Sequence, residues 1–238
     1  STAAIVQRKL GVHGCPAFDV QAVCSGFVYA LTVADSMIRT GAASTALVIG
    51  AEVFSRILDF NDRGTCVLFG DGAGAAVLRR SNDGEGRILA TEMGTDGRHT
   101  SLLEIKGGGS ACPITAANAE SNLQTLSMQG REVFKLAVNA MRTAAETVIE
   151  RAGLNPDDIK LIVPHQANLR IIDAIADRLS VPNEKVYINL DKYGNTSAAA
   201  VAIALDEAHR EGRFERGDNI ILVVFGAGLT WAATAIEW

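Results

Sequence analysis

The sequence predicts an α/β fold built from two similar halves. Two observations predict it. Segments with helical spacing alternate along the chain with short apolar runs of strand type. The halves also match at a constant offset of 171 residues, which puts Cys24 on Asn195, Asp35 on Asp206 and Gly41 on Gly212.

The elements follow in order. Thr2–Leu10 has helical spacing and stops at Gly11. Phe18–Val23 reads as a buried strand, and Ser25–Thr40 as a helix closed by Gly41. Thr45–Ala51 is a short apolar strand. Val67–Phe69 and Ala75–Arg80 read as strands flanking Gly70–Ala75, a tight turn in which glycines supply positive φ. The Gly70-Asp71-Gly72 phrase resembles a dinucleotide loop only superficially, because a strand and not a helix follows it. Arg87–Met93 is a further strand, and the polar stretch from Gly94 to Gln129 reads as a surface connection. Glu132–Ala152 is a helix, Lys160–Val163 a strand, Leu169–Leu179 a helix and Lys185–Leu190 a strand. Ser197–Arg210 is a helix ending at Gly212, and Ile220–Phe225 and Trp231–Trp238 are closing strands. The division is a first half over 1–105, a connection over 106–129 and a second half over 130–238. The first half has no counterpart of Glu132–Val163, so a strand and a helix are expected to be missing at its N-terminal side.

Composition narrows the function. The 238 residues carry 22 basic and 27 acidic side chains, a net charge of -5, which disfavours nucleic acid as a partner. No apolar run approaches the roughly 18 residues of a membrane span. Arg8 and Lys9 sit inside an amphipathic opening stretch, unlike a secretory leader. The four cysteines lack CxxC spacing, so neither a metal site nor a disulfide framework is expected, and a reducing, cytoplasmic setting is.

Three residues then stand out. Cys24 lies at a strand-to-helix junction, where free N–H groups and a partial positive charge favour thiolate over thiol. Gly26 beside it permits close backbone approach to whatever the sulfur attacks. The alternative for Cys24 is a small buried hydrophobe, and Cys15, Cys66 and Cys112, which lack this context, are read as structural. His165 follows a buried strand in Val163-Pro164-His165-Gln166-Ala167-Asn168, the place of a site residue in an open sheet or of a hydrogen-bonded turn residue. Asn195, in Tyr193-Gly194-Asn195-Thr196-Ser197, is an N-cap, a site residue or both. Because Cys24 and Asn195 start equivalent helices, a site between the halves receives a residue from each.

Cys24, Val163–Asn168, Tyr193–Ser197 and Gly70–Ala75, in that arrangement along the whole chain, resemble the β-ketoacyl-[acyl-carrier-protein] synthase III family. The resemblance implies a thiolase-like fold, a duplicated five-layer αβαβα architecture, here with an incomplete N-terminal half. It implies that Cys24 takes a short acyl group, acetyl foremost, from coenzyme A, a substrate and not a cofactor. It implies that His165 and Asn195 then stabilise the enolate formed when malonyl-acyl carrier protein loses carbon dioxide. The oxyanion of the condensation would rest on the backbone N–H groups of Cys24 and Ala227; the family usually has glycine at the latter, so a positive φ there would strain this alanine. Arg63 matches a residue packing on the adenine of coenzyme A, and Asn168 and Phe225 match residues lining the site. Carrier protein is acidic, so Lys135, Arg170 and Arg178 are candidate docking cations, or simply solvated helix charges. The family is homodimeric, with Leu47–Ala51 a plausible interface strand.

Three alternatives accompany this reading. A polyketide-type condensing enzyme shares the Cys–His–Asn trio, although the His165-Gln166-Ala167-Asn168 context favours synthase III. A cysteine acyl hydrolase would release free acid without consuming malonyl. An inactive fragment would turn over nothing.

Overall fold

The computed structural model describes residues 1–82 and 86–238. Its helices are α1 (Thr2–Lys9), α2 (Gly26–Arg39), α3 (Gly130–Arg151), α4 (Leu169–Leu179), α5 (Leu190–Tyr193) and α6 (Ala198–Arg210). Its strands are β1 (Thr45–Glu52), β2 (Gly72–Arg79), β3 (Arg87–Thr95), β4 (Leu103–Ile105), β5 (Leu126–Met128), β6 (Ile159–Pro164), β7 (Asn219–Gly226) and β8 (Thr230–Glu237).

The larger sheet has the order β3-β8-β7-β6, with β6 and β7 parallel and the other pairs antiparallel. β7 is apolar at almost every position because both of its faces are covered. Ile221, Val223 and Phe225 face one way, into a core shared with α3 and α4. Ile220, Leu222 and Val224 face the other, into a core shared with α2 and α6. Beyond α2 and α6 lies the second sheet, β1 paired antiparallel with β2, which contributes Val48 to that core. Four layers are thus stacked in the thiolase-like manner. The outer face of β1–β2 presents Leu47, Ile49 and Val77 to solvent. β3 falls within 1–105 yet joins the sheet of the second half.

The duplication is visible in atomic detail. Gly41 and Gly212 both have left-handed φ, +78° and +67°, just past α2 and α6, where an L-side chain would strain. Arg39 pairs with Asp35 at 2.6 Å, and Arg210 with Asp206 at 2.8 Å, at matching places on the two helices. α3 shows why such segments become helices here. Val133, Ala137, Met141, Ala144 and Val148 make a buried stripe at three- and four-residue spacing, and Gly153 at φ +68° ends it.

Several expectations are corrected. Phe18–Val23 is not a strand: no ladder forms there among the described residues, and Val23 instead opens a 3-10 turn. Lys185–Leu190 is not a strand either; Asn183–Lys185 is a 3-10 turn, Val186 makes an isolated bridge to Ile162, and α5 follows. The expected surface connection over 94–129 contains β4 and β5, with Leu103 buried. Gly70–Ala75 is not a tight turn. Gly72 and Gly74 lie within β2 and have no positive φ. Their missing side chains serve packing, since a methyl at Gly74 would come within 2.6 Å of the Ala202 side chain. No described helix is long and apolar enough to cross a membrane.

Candidate active site

Cys24 sits in the 3-10 turn Val23–Ser25 that leads into α2. Val23, a β-branched residue, adopts φ +50°, a conformation that costs on the order of 1–3 kcal/mol. Its counterpart at the same offset, Gly194, has φ +65° and precedes Asn195. Both halves therefore turn through a left-handed residue to deliver a side chain at the head of an inner-layer helix. α2 and α6 meet at those heads: a methyl on Gly26 would lie 3.5 Å from the Ala198 side chain. The space beside Gly26 is thus used for helix packing rather than for approach to a substrate.

Asn195 is clamped by its backbone. Its N–H donates to the Leu68 carbonyl at 2.8 Å, and its own carbonyl accepts from Gly70 N–H at 3.0 Å. A methyl on Gly70 would collide with the Tyr193 carbonyl, so this glycine permits the clamp. The Asn195 Oδ1 accepts from Ser197 N–H at 2.8 Å, which leaves the Nδ2 amide for a ligand. His165 follows β6, and its N–H donates to the Val223 carbonyl at 2.8 Å. Cys24, His165 and Asn195 line one cavity of about 70 Å³, together with Asn168 and Phe225. Its inner wall is apolar and includes Leu103, Met128, Phe134 and Met141.

The site is buried, and its cysteine and histidine rest uncharged. Burial pushes the Cys24 thiol up to about 11, against the Ser197 hydroxyl and the Cys24 N–H, which favour the thiolate. Desolvation therefore outweighs these two groups, with the Glu52 carboxylate acting in the same direction as burial. Burial likewise pushes His165 down to about 4, so its imidazole is neutral at pH 7. The His165 Nδ1 is buried without a hydrogen-bond partner.

Gly226 packs directly on the nucleophile; a methyl there would stand 2.8 Å from Cys24 N. Ala227 follows it and does not adopt a positive φ, which falls to Gly228 at +125°, so the anticipated strain at this alanine is absent. The Thr230 hydroxyl lies 3.1 Å from the Ala22 carbonyl, the Ala227 carbonyl and the Ser25 hydroxyl, tying this loop to the turn that carries Cys24.

The other predicted residues are spread around the cavity. Asn168 caps α4, its Oδ1 accepting from Ile171 N–H at 3.0 Å, and also lines the cavity. Arg63 is exposed on a turn stapled by Asp62 and is not among the residues lining the cavity. Lys135, in the second turn of α3, is exposed and pairs with Glu132 at 3.0 Å. Arg170 is exposed at the start of α4, beside Asn168. Arg178 is eight residues further on, about 12 Å along the helix axis.

Two residues near the sulfur were missed from sequence. The Ser197 hydroxyl is buried, makes no hydrogen bond of standard geometry, and favours the anions of both Cys24 and Glu52. Burial pushes the Glu52 carboxyl up. A charged residue ending the apolar strand β1 was the available signal for Glu52.

Comparison with known proteins matches this arrangement to one family. Residues 18–97 fit the family model described as 3-oxoacyl-[acyl-carrier-protein] synthase III, and residues 149–238 fit that of its C-terminal part. The chain is 54% identical over its full length to β-ketoacyl-[acyl-carrier-protein] synthase III of Caldanaerobacter subterraneus subsp. tengcongensis, covering 72% of that protein. It is 50% identical, with the same coverage, to that of Clostridioides difficile. The crystal structure of the Aquifex aeolicus synthase III superposes with a TM-score of 0.91 at 48% identity, over all of this chain and 72% of that one. A priming β-ketosynthase of the R1128 polyketide pathway superposes at 0.87 with 37% identity, over 98% of this chain and 68% of that one. With the duplicated layers and the cysteine-headed helix already in view, these matches show that the chain belongs to the β-ketoacyl-[acyl-carrier-protein] synthase III family of acyltransferases, condensing enzymes of fatty-acid biosynthesis.

Proposed function

We propose that this chain starts fatty-acid synthesis by joining a short acyl group from coenzyme A, acetyl foremost, to malonyl on acyl carrier protein. The single observation that supports it is a small cavity holding a cysteine from the first half with a histidine and an asparagine from the second. Cys24 Sγ attacks the acyl-CoA carbonyl, its proton leaves, and coenzyme A departs as the thiol, leaving an acyl-Cys24 thioester. The short apolar wall around Leu103 and Met141 favours a small acyl group.

Malonyl thioester then enters. Its carboxylate carbon–carbon bond breaks, carbon dioxide leaves, and the electron pair moves into an enolate. A neutral His165 N–H and the Asn195 Nδ2 amide stabilise that oxygen as charge develops. The carbanion attacks the acyl carbonyl, whose oxyanion rests on the N–H groups of Cys24 and Ala227. Collapse expels the Cys24 thiolate, and the sulfur regains a proton. Arg63 stacks on the coenzyme A adenine. Lys135 and Arg170 receive the acidic carrier protein at the mouth of the site, with Arg178 further out. The working molecule is a cytoplasmic homodimer.

Intact-mass measurement after brief incubation with acetyl-CoA tests the first step. A single acetyl adduct is expected, mapped to Cys24 and absent from Cys24→Ser. Addition of malonyl-acyl carrier protein should then discharge it as acetoacetyl-carrier. Discharge as free acetate would instead mark a hydrolase, and no adduct would overturn the acetyl-primed reading.

A further inference from the structure

Behind His165 lies a buried polar chain that the chemistry above does not use. Gln166 is 1% exposed, yet its side chain makes three hydrogen bonds. Its Nε2 donates to the Pro164 carbonyl at 2.8 Å and to the Tyr187 carbonyl at 3.2 Å. Its Oε1 accepts from Asn189 N–H at 3.0 Å. Asn189, 2% exposed, passes the connection on, its Nδ2 donating to Glu207 Oε2 on α6 at 2.8 Å. The other Glu207 oxygen accepts from the Tyr193 hydroxyl, and Lys192 Nζ stands 3.6 Å from Oε2. Tyr193 is two residues from Asn195.

A glutamine in this position is costly to bury unless every polar atom is satisfied. Here two of the three bonds run between two segments. One is the turn that carries His165, held by Ala167 N–H donating to the His165 carbonyl at 2.8 Å. The other is the 187–193 stretch that delivers Asn195. An apolar residue would fill the same space but would fix neither segment against the other, because hydrophobic contact is non-directional.

We propose that Gln166 and Glu207 are positioning residues that set His165 against Asn195. They therefore serve the malonyl step and not the acylation of Cys24, whose turn is held separately through Thr230 and Gly226. This rests on the roles proposed above for His165 and Asn195.

The test separates the two half-reactions. In Gln166→Leu, acetyl transfer from acetyl-CoA to Cys24 should stay within about twofold of wild type, while malonyl decarboxylation and condensation fall about 10- to 100-fold through lost alignment. Glu207→Gln, on the half-buried rim of the network, is the second variant should Gln166→Leu fail to fold. It converts one acceptor oxygen to a donor and should show the same selectivity with a smaller loss, and Gln166→Glu should lie between wild type and Gln166→Leu. Circular dichroism and melting establish that each variant is folded. An equal fall in both half-reactions, or an unchanged malonyl step in folded variants, overturns the inference. His165→Ala and Asn195→Ala are run alongside. If they leave malonyl decarboxylation intact, the roles assigned to those two residues fail, and the positioning role falls with them.

Discussion

At the residue scale, the nucleophile and its neighbours are governed by desolvation. With its thiol pushed up to about 11, Cys24 should react slowly with iodoacetamide at pH 7, and its rate should climb steadily towards pH 11. Ser197→Ala, which removes a group favouring the thiolate, should slow alkylation at a given pH. Glu52→Gln, which removes a nearby negative charge, should speed it. Peptide mapping distinguishes Cys24 from exposed Cys15; a flat pH response at Cys24 would contradict this account. The three polar residues of the site were legible in the sequence because His165 follows the apolar strand β6 and the other two are related by the repeat and head equivalent helices. Ser197 and Gln166 were not, since their importance depends on which buried atoms they reach. Val23 gave no sign at all: nothing about a valine in sequence announces a left-handed φ.

At the element scale, the longer helices and most of the strands were read well, and the misreadings are apolar segments that join no ladder. α4 runs over Leu169–Leu179 as its spacing requires, with Asn168 as cap. A helix satisfies its own backbone, so its pattern is local. Phe18–Val23 and Lys185–Leu190 are apolar enough to be strands but join no ladder, and a strand is defined by its partner. The glycines of Gly70–Ala75 were misread for a related reason. Positive φ and close packing both select glycine, and only the neighbouring α6 decides between them. α3 is the element on which the larger sheet most depends. Met141 is 0% exposed there and also reaches the cavity wall. Met141→Ala should destabilise the protein by about 2–5 kcal/mol, read from urea denaturation. Deleting the exposed Asp206–Arg210 pair should change stability by less than about 0.5 kcal/mol, in the same assay.

At the scale of the whole molecule, stability is tied to pH through the same buried groups. His165 is neutral in the folded chain with its pKa pushed down to about 4, whereas in the unfolded chain it takes a proton near 6.5. The unfolded state therefore binds more protons between those values. Stability is fully present above pH 6.5 and falls by about 3 kcal/mol as pH drops through 4. Glu52, pushed up by burial, works in the opposite sense and offsets part of this loss. Urea midpoints at pH 7 and pH 4.5 should differ strongly in wild type and much less in His165→Gln; an equal drop in both would sink the assignment.

The two main sheets divide the molecule unequally. One has four strands with β7 buried on both faces, and the other has two strands with one face open to solvent. The turn that carries Cys24 packs on β7 and β8 of the larger sheet, whereas α6, behind Asn195, packs chiefly on β1 and β2. Local opening starts where buried contacts are fewest. On warming, the trio is thus dismantled from the asparagine side, which leans on β1 and β2, and chemical competence is extinguished while most of the secondary structure still stands.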